Sequence, residues 1–211
     1  MCNILHVQWT ITPTTPPQPW IACSGCGGIR AFQSSGKIRL NANGRKLDAW
    51  LIYKCVVCEK TWNRPIFERQ NVRDINPDTF AALQSNNPEW GRAEAFNLEP
   101  LRRKAQRVDE FDHYAIEKAM LCEAEDWTKL VIDLVTPIPT STRLDRLLAS
   151  ELRISRSRLQ KLNEDGFLQA TCDRANAMRR HIKNGTVVTI DLSDEADREK
   201  SWKPLATGGP L

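Results

Sequence analysis

Cys23-Ser24-Gly25-Cys26-Gly27-Gly28 and Cys55-Val56-Val57-Cys58-Glu59-Lys60 decide how the first third of this chain is read. Two thiolates three positions apart on a tight turn point at one metal ion. A second such turn completes the tetrahedron that zinc prefers with sulfur ligands. Glycine at 25, 27 and 28 supplies the positive φ that a knuckle needs. Cys23, Cys26, Cys55 and Cys58 therefore read as the ligands of one structural zinc, with disulfides, redox dithiols and buried free thiols as the alternatives. Four thiolates close the coordination shell, so no position remains for water or substrate. They also leave a local charge of about −2. Arg30, Lys54, Lys60 and Arg64 are placed to offset it, contact with nucleic acid being the other use for these cations.

The insert between the knuckles reads as a β-hairpin. Asn43-Gly44 is a strong signal for a two-residue type I′ turn. Closure there sets Leu40 opposite Leu47, Arg39 opposite Asp48 and Ile38 opposite Ala49, so apolar meets apolar and cation meets carboxylate. The period of two places Ile38, Leu40, Leu47, Ala49, Leu51 and Tyr53 on one face, with Trp50 and Ile52 on the other. Knuckle, hairpin and second knuckle make a zinc ribbon. Its apolar residues are too few for a good core, so metal affinity does much of the holding.

Composition bounds the rest. The chain has 211 residues, 41% of them hydrophobic, with seven cysteines and a net charge of +4; the mean hydropathy is −0.47. No apolar run is long enough for a membrane span, and the start lacks the pattern of a signal peptide. A reducing cytoplasm is the expected compartment, which favours metal over disulfide for the paired cysteines. Cys2, Cys122 and Cys172 read as ordinary thiols, because no histidine stands beside them in sequence. The positive excess is local: ten cations against six anions lie between Ser141 and Leu192.

The expected fold class is α+β. Residues 1–68 form the zinc ribbon, to which Ile4–Ile11 adds a strand ahead of the proline-rich Thr12–Pro19 loop. Residues 69–136 form a mainly helical connecting segment ending in a strand at Trp127–Val135. Within it, Asn76-Pro77 opens a short helix and Asn97-Leu98-Glu99-Pro100 another, whose Arg102, Arg103, Lys104 and Arg107 read as a solvated face. Asp109, Glu110, Asp112 and His113 read as a solvated helix end. Thr136-Pro137-Ile138-Pro139-Thr140 is a stiff linker. Residues 137–192 form a C-terminal module, and the polar residues 193–211 a disordered tail.

The C-terminal module is well punctuated. Thr142 is placed to N-cap a helix with Asp145 three residues on, and Leu144, Leu147, Leu148 and Leu152 line one face. Ser155 caps a second helix, with Ile154 and Leu159 spaced for a hydrophobic staple, and Gly166 stops it. So short a link makes an αα-hairpin, and Gly185 leads into a strand at Thr186–Leu192. Arg156 and Arg158 flank the buried stripe, ready to fork around a phosphate or to snorkel over a solvated helix.

Arg143-Leu144-Asp145, Ile154-Ser155-Arg156-Ser157-Arg158-Leu159 and Gly185-Thr186-Val187-Val188 resemble the RNA-binding domain of the ribosomal-protein-S-four type. That resemblance implies an RNA-facing side formed by Arg143, Arg156, Ser157, Arg158 and Lys161. Leu168–Asp173 stands where that domain has a Val-Asn-Gly hairpin, so the hairpin half of the surface departs from the pattern. The whole chain resembles a bacterial family named domain of unknown function ten-sixty-two, through the first knuckle, Asn41–Cys55 and Thr61-Trp62-Asn63. That family implies zinc and a bacterial origin and carries no activity.

Two functions follow as expectations. One is a zinc-stabilised, non-catalytic RNA-binding protein working on structured RNA such as ribosomal RNA or tRNA. The other is a protein-interaction or scaffold module, with Trp9, Trp20, Trp50, Trp62 and Trp90 as contacts or core. An enzyme acting on RNA is the weakest reading, since His6, His113 and His181 lie in no catalytic motif and no phosphate loop is present.

Overall fold

The computed structural model describes residues 3–171 and 177–209. Along the chain run β1 (Ile4–Pro13), β2 (Gln18–Cys23), β3 (Gly28–Asn43), β4 (Lys46–Cys55) and β5 (Thr61–Asn71). Three short helices follow, α1 (Pro77–Gln84), α2 (Pro88–Ala95) and α3 (Leu98–Lys104), then β6 (Arg107–Asp109), β7 (Tyr114–Glu123) and β8 (Lys129–Val135). Helices α4 (Leu144–Glu151) and α5 (Arg156–Glu164) precede β9 (Leu168–Ala170) and β10 (Thr186–Asp191), and α6 (Arg198–Ser201) and α7 (Lys203–Thr207) end the chain. The fold is mixed α and β, with two five-stranded sheets. No helix among the described residues is long and apolar enough to cross a membrane.

The chain divides into two compact units, one made of Thr15–Phe111 and the other of Met1–Thr14 with Asp112–Leu211. The inserted unit carries the sheet β5-β4-β3-β2-β6. Its hairpin closes two positions away from the expected register, with Asn43 facing Lys46, Leu40 facing Ala49 and Ile38 facing Leu51. The loop is thus Gly44-Arg45, with Gly44 at φ +61° in its first position, the Gly-X pattern of a II′ turn. The third strand fixes this choice: the Val72 N–H donates to the Arg45 carbonyl at 3.0 Å, and Lys46 also faces Asn71. A slip of two preserves the faces, so Leu47, Ala49, Leu51 and Tyr53 are buried together as the alternation requires.

Asparagine opens each of the three helices of this unit. The Asn76 side chain accepts from the N–H groups of Asp78 and Thr79, and that of Asn87 from Trp90, each ahead of a proline at the first helical position. Gly91 of α2 lies so close to β3 that a Cβ there would stand 2.8 Å from the Gly36 carbonyl oxygen. Helix and strand meet backbone to backbone at the β3 irregularity between Ser34 and Ile38.

The other unit carries the sheet β7-β1-β8-β10-β9. Strand β1 pairs antiparallel with β7 and parallel with β8, so it belongs to this sheet and not to the cysteine-bearing one. Its inward residues Leu5, Val7, Trp9 and Ile11 meet Leu144, Leu147, Leu148, Leu152 and Leu159 in a single apolar cluster. Tyr114–Glu123, expected to be helical, is a strand because Tyr114, Ile116 and Lys118 alternate toward β1, with the Lys118 ammonium over the Trp9 ring. In the Thr136–Thr140 segment Thr136 and Thr140 are covered, while Pro137 and Pro139 are exposed. It links no separate modules, since β10 pairs directly with β8.

Thr142 does not cap α4. Arg143 is the N-cap and makes no side-chain cap bond, while the Thr142 hydroxyl receives that of Thr140. Ser155 does cap α5, accepting from the Arg158 N–H at 3.1 Å, and Gly166 ends it at φ +82°. Residues 193–209 are not the expected loose tail. Trp202 is 4% exposed within the core, and the Trp9 indole donates to the Ala206 carbonyl at 2.7 Å. The Arg198 guanidinium and the Trp127 carbonyl tie α6 to the start of β8. Leu159 is 1% exposed, so Leu159→Ala is expected to destabilise this unit by about 2–5 kcal/mol through the cavity it leaves; denaturant unfolding followed by tryptophan fluorescence measures it.

Candidate metal centre

Both cysteine turns have the same backbone. In the first, the Gly27 N–H donates to the Cys23 carbonyl at 3.0 Å, and in the second the Glu59 N–H donates to the Cys55 carbonyl at 3.0 Å. Gly27 and Glu59 both hold positive φ, +68° and +58°. Of the glycines expected to need that conformation, Gly27 has it, while Gly25 serves another purpose. A Cβ on Gly25 would stand 2.9 Å from the Cys58 sulfur and 3.9 Å from that of Cys23. Only a residue without a side chain lets the first turn approach the second this closely.

The turns bring the four sulfurs within 4.8 Å of one another. Cys23 and Cys58 are 3.4 Å apart and Cys26 and Cys55 are 3.9 Å apart. An ion holding four thiolates at ~2.3 Å sets them ~3.8 Å from each other, so this donor set fits a tetrahedral ion. Cys23 and Cys55 are buried at the ends of β2 and β4, Cys26 is half-buried and Cys58 exposed. The sulfurs also differ electrostatically. Burial pushes the Cys23 thiol up, but the N–H groups of Cys26 and Gly25 and the thiols of Cys58 and Cys55 outweigh it and bring it down to about 7. Cys26 is pushed up to about 12, first by Cys58, then by burial and by Cys23. A bound cation has protons to displace here, so metal affinity rises with pH.

Three of the cations expected to offset the thiolates have other partners. Arg64 is fully buried and donates to the Glu94 carboxylate at 2.7 Å and to the Glu94 carbonyl at 3.0 Å. Lys54 pairs loosely with Glu59 at 3.9 Å, and Arg30 turns back to the Ile29 carbonyl. The acidic group at 109–113 is no helix end. Asp109 lies on β6 and accepts from the Trp20 indole at 2.7 Å, Glu110 pairs with Arg102, and Asp112 with Arg146.

The residues read as an RNA face share the other unit. Arg156, Ser157, Arg158 and Lys161 are exposed on α5, and Arg143 stands at the start of α4. Arg143 already pairs with Asp145 at 2.6 Å. Arg158 pairs with Glu195, and its guanidinium lies 5.8 Å over the Trp202 ring. Arg158 and Lys161 also border a cleft lined by Asp165, Asp191, Asp194 and Glu195. Among the described residues no carboxylate pairs with Arg153 or Arg156. A second basic group is formed by contact at a distance: a bridge between Arg143 and His181 sets exposed Arg179 and Arg180 beside the start of α4. No local pattern announces that contact, because it joins residues far apart in the chain.

A family model described as a protein of unknown function, DUF1062, matches residues 40–174, well over half of the chain. The chain belongs to that family. The matched stretch includes Cys55 and Cys58 and begins after Cys23 and Cys26. No curated protein and no solved structure matches the chain. For this DUF1062 protein the tight approach at Gly25 gives a direct test. Gly25→Ala is expected to weaken metal binding at least about tenfold, the scale on which disturbed metal supports act, measured by chelator competition.

Proposed function

We propose that this DUF1062 protein is a zinc-stabilised, non-catalytic RNA-binding protein, its Thr15–Phe111 unit a zinc ribbon and its α4–α5 hairpin the core of an S-four-like module. Zinc is favoured over other ions by an all-sulfur donor set with tetrahedral spacing. Bound there, it supplies no chemistry beyond clamping β2 and β4. The partner is structured RNA, such as ribosomal RNA or tRNA. The observation that carries this reading is the pair of exposed cationic groups on one unit: Arg153, Arg156 and Lys161 on and before α5, and Arg179 with Arg180 beside the start of α4. Arginine forks and Ser157 suit the phosphates and 2′-hydroxyls of folded RNA. Arg143 and Arg158 contribute less, because Asp145 and Glu195 already neutralise them.

One observation favours a second reading as a protein-interaction module. Val56 and Val57, at the tip of the second knuckle, are 47% and 66% exposed. Isolated apolar tips are common on surfaces, so RNA remains the better partner.

Two measurements test the proposal. Elemental analysis is expected to give one zinc per chain, lost in Cys55→Ser together with the fold of the inserted unit; folded protein without metal would overturn the zinc. Binding of bulk tRNA is expected to weaken steeply with salt. Replacing Arg156 and Arg180 together by Gln should flatten the log-log slope by roughly 1.4–1.8, each phosphate contact being worth about 0.7–0.9. Unchanged affinity and slope in the folded double variant would sink the RNA reading in favour of a protein partner.

A further inference from the structure

Cys122 has a histidine after all. Strand pairing sets it directly opposite His6, so both side chains leave the same face of the sheet, with Cβ atoms about 5 Å apart. On the next strand, Asp133 shares that face, and its Oδ2 lies 2.9 Å from His6 Nε2. Thiol, imidazole and carboxylate thus form a row across β7, β1 and β8. The order of groups is that of a nucleophile, a base and the residue that orients the base. If Nε2 carries the hydrogen given to Asp133, Nδ1 is left as the acceptor of the ring.

The local backbone supports this placement. Cys122 is exposed, and His6 and Asp133 are 28% and 34% exposed, open to a small molecule. The pairing shifts between His6 and Val7, which faces Met120, so Leu121 is an extra residue bulged out beside Cys122. Bulges re-aim neighbouring side chains and recur next to active sites. Among the described residues the other charged groups on this face of the sheet are Lys129 with Asp191, paired at 3.6 Å, and Glu117, opposite Thr10. Glu123, the next residue along β7, faces the opposite side with Lys203.

We propose that Cys122, His6 and Asp133 form a base-assisted thiol, a covalent modification site for soft carbon electrophiles that is separate from the cysteine centre. In the step, Cys122 Sγ attacks the electrophilic carbon. With an α-halo amide a sulfur–carbon bond forms, the carbon–halogen bond breaks, halide leaves with the electron pair, and the thiol proton passes to His6 Nδ1. Asp133 is a positioning residue that holds the ring.

The test uses the full, metal-loaded chain and iodoacetamide, with modification at Cys122 followed by peptide mass spectrometry between about pH 6 and pH 10. Because the base matters only while the thiol is protonated, His6→Asn is expected to slow Cys122 alkylation about tenfold at pH 7. The difference should vanish near pH 10. Asp133→Asn should slow it at pH 7 by a smaller factor with the same convergence, and it serves as the test if His6→Asn fails to fold. Folded variants that react at the wild-type rate at pH 7 would overturn the proposal. So would a slowing that is equal at every pH, which marks a change of exposure rather than loss of a base.

Discussion

The antiparallel pairing of β1 with β7 governs the organisation of this molecule. The two strands face each other from Leu5 and Glu123 to Pro13 and Tyr114, and the Thr14 N–H donates to the His113 carbonyl at 3.0 Å just beyond. Between those ends the chain builds the whole Thr15–Phe111 unit. The entropy of closing so long a loop grows only as the logarithm of its length, and the apolar residues of β1 offset it. Leu5, Val7, Trp9 and Ile11 are all fully buried. Without them the leucines of α4 and α5 would face a three-stranded remnant, so the helical hairpin is no autonomous module.

The inserted unit solves a different problem. Its buried apolar residues fall into two small clusters, one around Phe32, Leu51 and Tyr53, the other around Leu47, Ala49 and Leu83. Into this modest core it places Arg64, whose Nε and Nη1 have no protein partner, and Tyr53, whose hydroxyl has none either. Burial pushes Tyr53 up to about 12, so it stays neutral, and Glu94 is the counter-charge of the arginine. Removing one member of such a pair leaves a buried charge uncompensated, at a cost of about 3–5 kcal/mol. Beside this core lie the four convergent sulfurs, two at the ends of β2 and β4 and two on the turns that follow.

What the sequence disclosed followed the range of each interaction. Each Cys-x-x-Cys turn, the Ser155 cap, the Gly166 stop and the leucine stripe of α4 are set within a few residues and are legible; the two turns could be joined because both repeat one motif. Alternation in Ile4–Ile11 revealed a strand with one buried face but not its neighbours, because a period of two says nothing about partners. Strand β7 was missed since its second half, Ala119 to Glu123, is exposed on both faces and loses the alternation. The hairpin turn was misplaced because Gly44 satisfies two closures, and the deciding contact comes from Val72. In the C-terminal segment one residue held the signal: Trp202, an aromatic in a polar stretch, anchors helices that composition alone describes as tail.

The order of synthesis gives the β1 pairing a temporal side. Strand β1 is made before both of its partners, which begin at Tyr114 and Lys129. At about 5–20 residues per second, its apolar residues wait on the order of 6–25 s for β8 to be made. The inserted unit is complete earlier and can close around its own sulfurs while β1 is still unpaired. A nascent chain of this protein therefore carries an exposed alternating strand ahead of a finished unit. That strand stays open to pairing with other chains until β8 is made.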